Sequence, residues 1–230
     1  MTRSFDVHLP EEQAWVRSVR LAAEILDGVT LSRVSNGIKV TAEGLLGKPI
    51  FNLDGTFVFL TEPNREPLSV RVDPGWLPFE PQSAVVPPLP ANPVPADRRL
   101  IIELPPQRAY PFPSGVTGIR ARLVQQRVSS PQVALPVAAA PIWLQWIDDS
   151  ASGTDWVDAP VRGMTDFNGD FAAILRFTPA QVPRLDAQGL VRARVRATQT
   201  GITWNSLEFQ IPMGRITEVV SEFAWIEFQP

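Results

Sequence analysis

The sequence predicts an all-β protein made of two tandem antiparallel β-sandwich domains. A short phrase occurs twice, at residues 51–60 and 164–175. In each copy an Asp-Gly or Asn-Gly pair is followed, one residue later, by Phe and an apolar run, which is a strong signal for a tight turn leading into a strand. Several other segments alternate apolar and polar residues. The 24 prolines lie between apolar runs, at positions that a helix interior would reject.

The length of 230 residues suits two units of about a hundred residues each, since single domains usually have about 100–150. We predict one domain over residues 1–107 and a second over residues 108–230, joined by proline-rich segments. Hydrophobic content of 44% and charged content of 20% are ordinary for a folded protein.

The first domain begins with a segment of ambiguous pattern. Residues 15–26 fit either a helical face or a strand, and we favour the strand. Residues 38–42 alternate again, and residues 56–60 follow the first repeated phrase. In the next strand, residues 68–72, we expect Leu68, Val70 and Val72 to face inward.

A proline-rich stretch and a last strand complete the first domain. Residues 78–95 include the pair Pro87-Pro88, so we expect an extended or edge-like segment that cannot lie in the middle of a sheet. Residues 100–104 are predicted to form the last strand.

The second domain has the same kind of pattern. Residues 118–124 alternate with Arg120 and Arg122 on the polar side, and residues 141–147 and 190–197 are further strands. We expect closing strands at residues 206–211 and 224–228. Only residues 216–223 have a helical pattern.

Three segments of the second domain resemble carboxypeptidase regulatory-like domains. They are residues 118–124, residues 136–144 and the second repeated phrase from Thr165 to Phe171. A shorter version covers residues 38–60 and 68–72. The resemblance implies seven-stranded sandwiches of the transthyretin-like, immunoglobulin-like kind, which serve as folding and docking modules without a catalytic centre. It therefore bears on fold more than on function.

Composition argues against several classes of function. A net charge of −3 gives no basic surplus for nucleic acid or anionic membrane. The absence of cysteine excludes disulfides, cysteine-ligated metals and thiol nucleophiles. The first residues lack the apolar core of a signal peptide, so we expect a cytoplasmic location. No stretch approaches the roughly 20 apolar residues of a membrane span, so we expect no membrane partner. We also expect no cofactor.

Two acidic segments are candidates for calcium binding. Asp166, Asn168 and Asp170 have the spacing that opens an EF-hand loop, but Phe171 stands where glycine is required, which favours a hairpin turn. A denser acidic loop holds four weak candidates for Ca²⁺ ligands, although a solvated loop is favoured there: Asp148, Asp149, Asp155 and Asp158.

Catalytic motifs are missing from the sequence. The single histidine, His8, precedes the first expected strand, and no nucleophile elbow, phosphate loop or zinc-protease motif occurs. A hydrolase with two paired carboxylates has no positive evidence. We therefore predict that the protein is not an enzyme.

Two further surfaces are candidates for ligand binding. Arg192, Arg194 and Arg196 project from one strand face and could hold an anion, although pairing with acids on a neighbouring strand is favoured. Among seven tryptophans, those nearest polar loops could stack on a sugar, although tryptophans of small sandwiches usually fill the core. They are Trp143, Trp156 and Trp204.

The sequence thus favours a non-catalytic structural or interaction protein. We expect a subunit of a larger bacterial or phage-tail-like protein assembly, with other protein subunits or further copies of this chain as partners. The proline-rich extended segments suit contact with partners. The alternative is a carbohydrate-binding module with an exposed tryptophan platform.

Overall fold

A computed structural model of the protein describes residues 18–45, 47–61, 66–90, 93–127, 133–149 and 156–230. Within these ranges the structure is all-β, with two short 3-10 helices at Pro95–Arg98 and Trp225–Glu227. No helix in the described ranges is long and apolar enough to cross a membrane. The strands, in chain order, are β1 (Ser18–Asp27), β2 (Lys39–Glu43), β3 (Ile50–Phe51), β4 (Phe57–Thr61), β5 (Ser69–Asp73), β6 (Gln82–Val85), β7 (Arg99–Leu104), β8 (Thr117–Val124), β9 (Pro141–Ile147), β10 (Trp156–Asp158), β11 (Gly163–Met164), β12 (Asp170–Leu175), β13 (Leu190–Gln199), β14 (Ile202–Asn205), β15 (Phe209–Pro212), β16 (Ile216–Glu218) and β17 (Phe223–Ala224).

Residues 18–112, which we call the first half, form two sheets with one apolar cluster between them. One sheet has the strand order β3-β4-β1-β7 and the other β2-β5-β6. Strand β1 pairs antiparallel with β4 and parallel with β7. Inward residues of both sheets, such as Ile25 and Val72, belong to the same buried cluster. This arrangement is a β-sandwich.

Residues 117–230, the second half, repeat this pairing. One sheet has the order β10-β9-β13-β14, with β11 on β9 and β15 on β13, and the other has the order β12-β8-β16, with β17 on β8. Strand β8 pairs antiparallel with β12 and parallel with β16. A second buried cluster lies between these sheets and includes Trp146 and Phe171. The strand that follows the repeated phrase therefore has the same position in both halves.

The repeated phrase forms the same turn in each half. The backbone N–H of Gly55 donates to the Asn52 carbonyl over 2.9 Å, and Gly169 donates to Asp166 over 3.0 Å. Both glycines have a positive φ, 87° and 78°, as expected for a type I turn followed by a left-handed residue. The Asn-Gly and Asp-Gly pairs that predicted these turns therefore specify them through the glycine conformation.

A third copy of this turn leads into β13, and the sequence did not reveal it. Gly189 donates to the Asp186 carbonyl over 3.0 Å and has a φ of 76°. The intervening Ala187 and Gln188 replace the usual Asn or Asp before glycine, so the short-range signal is missing. The residue that marks this third turn in the sequence is Asp186, whose side chain accepts the N–H groups of Gln188 and Leu190.

The prediction of a strand at residues 15–26 is confirmed for residues 18–26, and residues 15–17 lie outside the described ranges. The helical prediction for residues 216–223 is wrong. Ile216–Glu218 forms β16, because the β-branched Ile216 and Thr217 pair with the buried strand β8. At the predicted closing segment 224–228, a 3-10 helix replaces most of the expected strand.

The two halves contact each other through polar groups. Arg176 donates to the Gly28 carbonyl over 3.1 Å and forms an ion pair with Glu103 at 2.8 Å. Arg120 donates to the Tyr110 carbonyl over 2.6 Å. Tyr110 itself packs in the core of the first half, a few residues beyond residue 107. The division into two domains at residue 107 remains a prediction.

Candidate functional site

An apolar groove in the first half is the strongest candidate for a binding site. It has a volume of about 700 Å³ and is lined mainly by proline, leucine and valine from the ends of β5 and β6 and from the proline-rich segment. The lining includes Leu68, Val85 and the pair Pro87-Pro88. Apolar side chains that share one concave surface are more informative than scattered ones, since exposed apolar surface is common in folded proteins.

The groove keeps large apolar side chains in contact with solvent. Leu68 is 61% exposed and Val85 is 80% exposed. The prediction that Leu68 faces inward is therefore wrong. The strand β5 begins only at Ser69, so Leu68 precedes the alternating pattern that buries Val70 and Val72.

The groove lies beside a free sheet edge. Strand β6 is the last strand in the order β2-β5-β6 and pairs only with β5 among the described residues. Its other edge carries N–H and C=O groups that an additional strand could use. Prolines flank the strand on both sides, at Pro81 and Pro87, which limits this edge to a short pairing.

The rim of the groove carries more positive than negative charge. Arg20 forms an ion pair with Glu66 at 3.3 Å. Arg98 donates to the backbone carbonyl of Val19 over 3.0 Å and has no acidic partner among the described residues. Two arginines and one glutamate therefore surround the apolar floor.

The structure does not support Trp143 as a sugar platform. Trp143 is only 4% exposed, because the guanidinium group of Arg162 lies 4.5 Å from its ring centre and that of Arg196 lies at 5.8 Å. Trp156 is half-buried, with the guanidinium of Arg194 at 4.3 Å from its ring centre. Each ring therefore already has an arginine as its partner.

Trp204 is half-buried and stacks on Trp225, with ring centres 5.3 Å apart and an interplanar angle of 12°. Both rings pack against the apolar cluster of the second half. By contrast Trp76, which no sequence pattern marks as exposed, is 84% exposed in the turn after β5. The three predicted tryptophans thus form no common exposed platform.

The acidic loop residues that the structure describes have separate protein partners. Asp148 is buried and accepts the N–H of Val182 over 3.0 Å, and Asp149 pairs with Arg184 at 2.6 Å. Asp158 accepts the Gln145 amide, and Asp155 lies outside the described ranges. No group of three or more potential metal-ligating side chains is present in the described part of the chain.

The charge of Asp158 stabilises the outer face of the sheet around β9 and β13. Burial would raise the pKa of Asp158, but the Trp143 indole, the Gln145 amide and the guanidinium groups of Arg196 and Arg162 together lower it. The carboxylate therefore stays ionised and holds these cations over the tryptophan.

The arginine stripe on β13 is internally paired. Arg192 forms an ion pair with Glu208 and Arg196 with Asp158 at 3.4 Å. Arg194 donates to the Gln145 side-chain oxygen over 2.7 Å. The predicted pairing with acids is therefore met in part: Arg192 and Arg196 pair with acids, but Asp158 lies on β10, two strands from β13, and Arg194 bonds an amide.

A second concave site lies between the two halves. It has a volume of about 600 Å³, and its walls carry four carboxylates and two guanidinium groups. Backbone pairing positions Glu80 on the first-half wall, since its N–H donates to the Pro105 carbonyl over 2.9 Å. On the opposite wall the Asp166 Oδ1 accepts the backbone N–H groups of Asn168 and Asp170.

The two arginines of this cleft form ion pairs with the second-half acids Asp170 and Glu218. Arg108 pairs with Asp170 and with Glu218, and Arg120 pairs with Glu218 at 3.1 Å. The side chain of Glu80 has no hydrogen bond or ion pair within the described residues. Burial, together with the nearby charge of Asp166, raises the pKa of Glu80 to about 7. Sequence reasoning missed this residue, because no motif marks a carboxylate whose pKa is raised by tertiary burial and by a charge from a distant part of the chain.

Comparison of this chain with protein-family models, with curated proteins and with solved structures found no match. The resemblance to carboxypeptidase regulatory-like domains therefore remains a prediction.

Proposed function

We propose that this protein is a non-catalytic interaction protein that binds other subunits of a larger protein assembly. The observation that carries the proposal is the apolar groove lined by Leu68, Val85 and Pro87-Pro88, at the end of the edge strand β6. Exposed apolar surface with a polar rim is typical of protein contact sites.

The occupant that we propose is an extended, apolar segment of a partner subunit that pairs with β6. Addition of a strand to a sheet edge gives main-chain hydrogen bonds, and neighbouring pockets take alternate side chains. The positive rim formed by Arg20 and Arg98 complements an acidic residue in that segment, and such complementarity favours the correct partner.

The polar groups elsewhere are consistent with a structural role. The arginines of β13 and the acidic residues Asp149 and Asp158 are engaged with one another or with neighbouring side chains. Such pairs hold the sheets together, and the groove is a concave surface whose apolar side chains remain exposed.

The experiment is affinity purification of the tagged protein from its native cells, followed by mass spectrometry and negative-stain imaging. We expect recovery in a large particle with fixed partners. The Val85→Asp variant places a charge in the groove and should lose these partners, whereas Val220→Asp makes the same change at a residue that is 98% exposed outside the groove and should retain them.

Recovery of the native protein as a lone monomer would overturn the proposal. So would equal recovery of the particle with Val85→Asp and Val220→Asp, since the groove would then make no contribution. Circular dichroism of both variants separates loss of binding from loss of folding.

A further inference from the structure

The cleft between the halves brings together charged groups from both. Glu80, Gln107 and Arg108 belong to segments that pack on the first half, and Asp166, Asp170 and Glu218 belong to the second. Arg120, at the base of the second half, contacts both sides through Glu218 and the Tyr110 carbonyl. A change of charge here therefore acts on the contact between the halves.

Both arginines that line the cleft are engaged by other groups, so Glu80 forms no ion pair with either of them. Arg108 is shared by Asp170 and Glu218, and Arg120 is engaged by Glu218 and a backbone carbonyl. With Glu80 protonated, three carboxylates face two guanidinium groups. Ionisation of Glu80 adds a fourth carboxylate, on the wall opposite Asp166.

We propose that Glu80 makes the contact between the two halves sensitive to pH: the cleft is closed when the Glu80 carboxyl is protonated and opens when that carboxyl ionises opposite Asp166. Opening gives the carboxylate access to water and increases its distance from the charge of Asp166, and both changes favour the ionised form. The bonds of Arg176 to Gly28 and Glu103 also join the halves, and none of these three residues lines the cleft.

The direction of the effect follows from proton linkage. Burial and the charge of Asp166 raise the pKa of Glu80 to about 7 in the closed cleft. In an open cleft the same carboxyl returns toward its ordinary value of 4.5. The closed form therefore binds an extra proton between these values, and rising pH favours the open form. A full return from 7 to 4.5 would change the ratio of closed to open by up to about 300-fold.

The test uses the absence of cysteine from the chain. Ser83→Cys and Ser221→Cys place one spin label on each side of the cleft, at exposed positions three residues from Glu80 and from Glu218. Distances between the labels are measured by pulsed electron paramagnetic resonance from pH 5.5 to pH 8.5. We expect a longer mean distance at high pH, with a midpoint between the open-form and closed-form pKa values and therefore below about 7.

Matched variants assign the transition. Glu80→Gln should keep the short distance at every pH, and Glu43→Gln, the same change at an exposed glutamate outside the cleft, should keep the transition. Asp166→Asn removes the facing charge and should move the midpoint to lower pH. This arm remains informative if Glu80→Gln fails to fold.

An unchanged distance across this pH range would overturn the proposal. A transition that persists in Glu80→Gln would also overturn it and would assign the titration to another group. Neither outcome bears on binding of partners at the groove.

Discussion

The phenolic O–H of Tyr110 donates to Asp27 Oδ2 over 2.5 Å in a buried position, and this bond joins residues 83 positions apart in sequence. Asp27 is the last residue of β1 and also accepts the N–H of Val29 at 2.7 Å. Tyr110 stacks edge-on against Phe112, with ring centres 4.9 Å apart. One hydrogen bond thus joins the segment at the end of the first half, around Tyr110, to the end of β1.

Tyr110 should ionise only at a pH well above the ordinary tyrosine value of about 10. Burial, and then the hydrogen bond and charge of Asp27, raise the pKa of Tyr110. Since the folded protein holds this proton more tightly than the unfolded chain, stability falls as pH rises above 10. As this is the only tyrosine, absorbance at 295 nm can follow it directly. A phenolate signal near pH 10 in the folded protein would contradict the prediction.

Replacement of Tyr110 by Phe should destabilise the protein by about 1–3 kcal/mol, because a hydrogen bond to a charged acceptor is lost. Asp27 keeps the N–H of Val29 and the hydroxyl of Thr30 as donors, which limits the loss. Urea unfolding at pH 7 measures the difference. Phe112→Leu, which keeps the hydrogen bond while changing the adjacent ring, is the control for packing.

Replacement of Glu24 by Gln should cost about 1–3 kcal/mol at pH 7, since it weakens charged hydrogen bonds to two arginines that are themselves about half exposed. The side chain of Glu24 is 6% exposed and pairs with Arg33 at 2.6 Å and with Arg99. Hydrogen bonds from Arg99 and then from Arg33 lower the pKa of Glu24.

The cost of Glu24→Gln should depend on pH in a defined direction. A lowered pKa contributes stability that is present above the ordinary glutamate value and is lost as pH falls through the lowered one. The difference between the two proteins in urea should therefore be constant from pH 6 to pH 8 and shrink below about pH 4. An equal difference at pH 3 and pH 7 would show that the carboxylate charge is not the cause.

Gly169→Ala should be much more destabilising than Gly189→Ala, although both glycines lie in the same kind of turn. Their φ values are 78° and 76°, so both substitutions bear the left-handed cost of about 1–2 kcal/mol. A Cβ at residue 169 would lie 2.2 Å from the Leu123 carbonyl oxygen, whereas at residue 189 it would meet nothing within 4 Å. We expect about 3 kcal/mol or more for Gly169→Ala, with overpacking added. Equal effects in urea unfolding would contradict this turn geometry.

Arg176→Ala should weaken the contact between the halves by about 1–3 kcal/mol, because two hydrogen bonds from a charged donor are lost. Its partners are Glu103 and the Gly28 carbonyl. A double-mutant cycle with Glu103→Ala isolates the ion pair. The Arg184→Ala variant, which removes the partner of the exposed Asp149 within the second half, is the control and should cost about 1 kcal/mol or less.

Local sequence signals predicted most of the strands. Alternation of apolar and polar residues at 118–124 and 190–197 corresponds to β8 and β13. One face of each strand is buried, and such a strand has an apolar residue at every second position. The Asn-Gly and Asp-Gly pairs predicted two turns for the same local reason. The strand at residues 216–218 was missed, because its stability comes from parallel pairing with β8. The pattern of neighbouring residues carries no information about this distant partner.

The candidate sites were far less predictable. The groove depends on where Leu68 and Val85 lie relative to the proline-rich segment, and the cleft depends on how Glu80 and Asp166 approach each other from distant parts of the chain. Trp143 was selected for its position beside a polar loop. Its burial depends on the long side chains of Arg162 and Arg196, whose contacts only the tertiary structure defines.

The parallel pairing of β1 with β7 has a consequence for the order in which the chain folds. Ala22 pairs with Arg99, so the first strand must wait for more than seventy residues of synthesis before its neighbour exists. Contacts of such long sequence separation slow folding, because the loop must close before they form. During translation, β1 therefore exposes an unpaired edge until residue 104 has left the ribosome, and unpaired strand edges are prone to incorrect association.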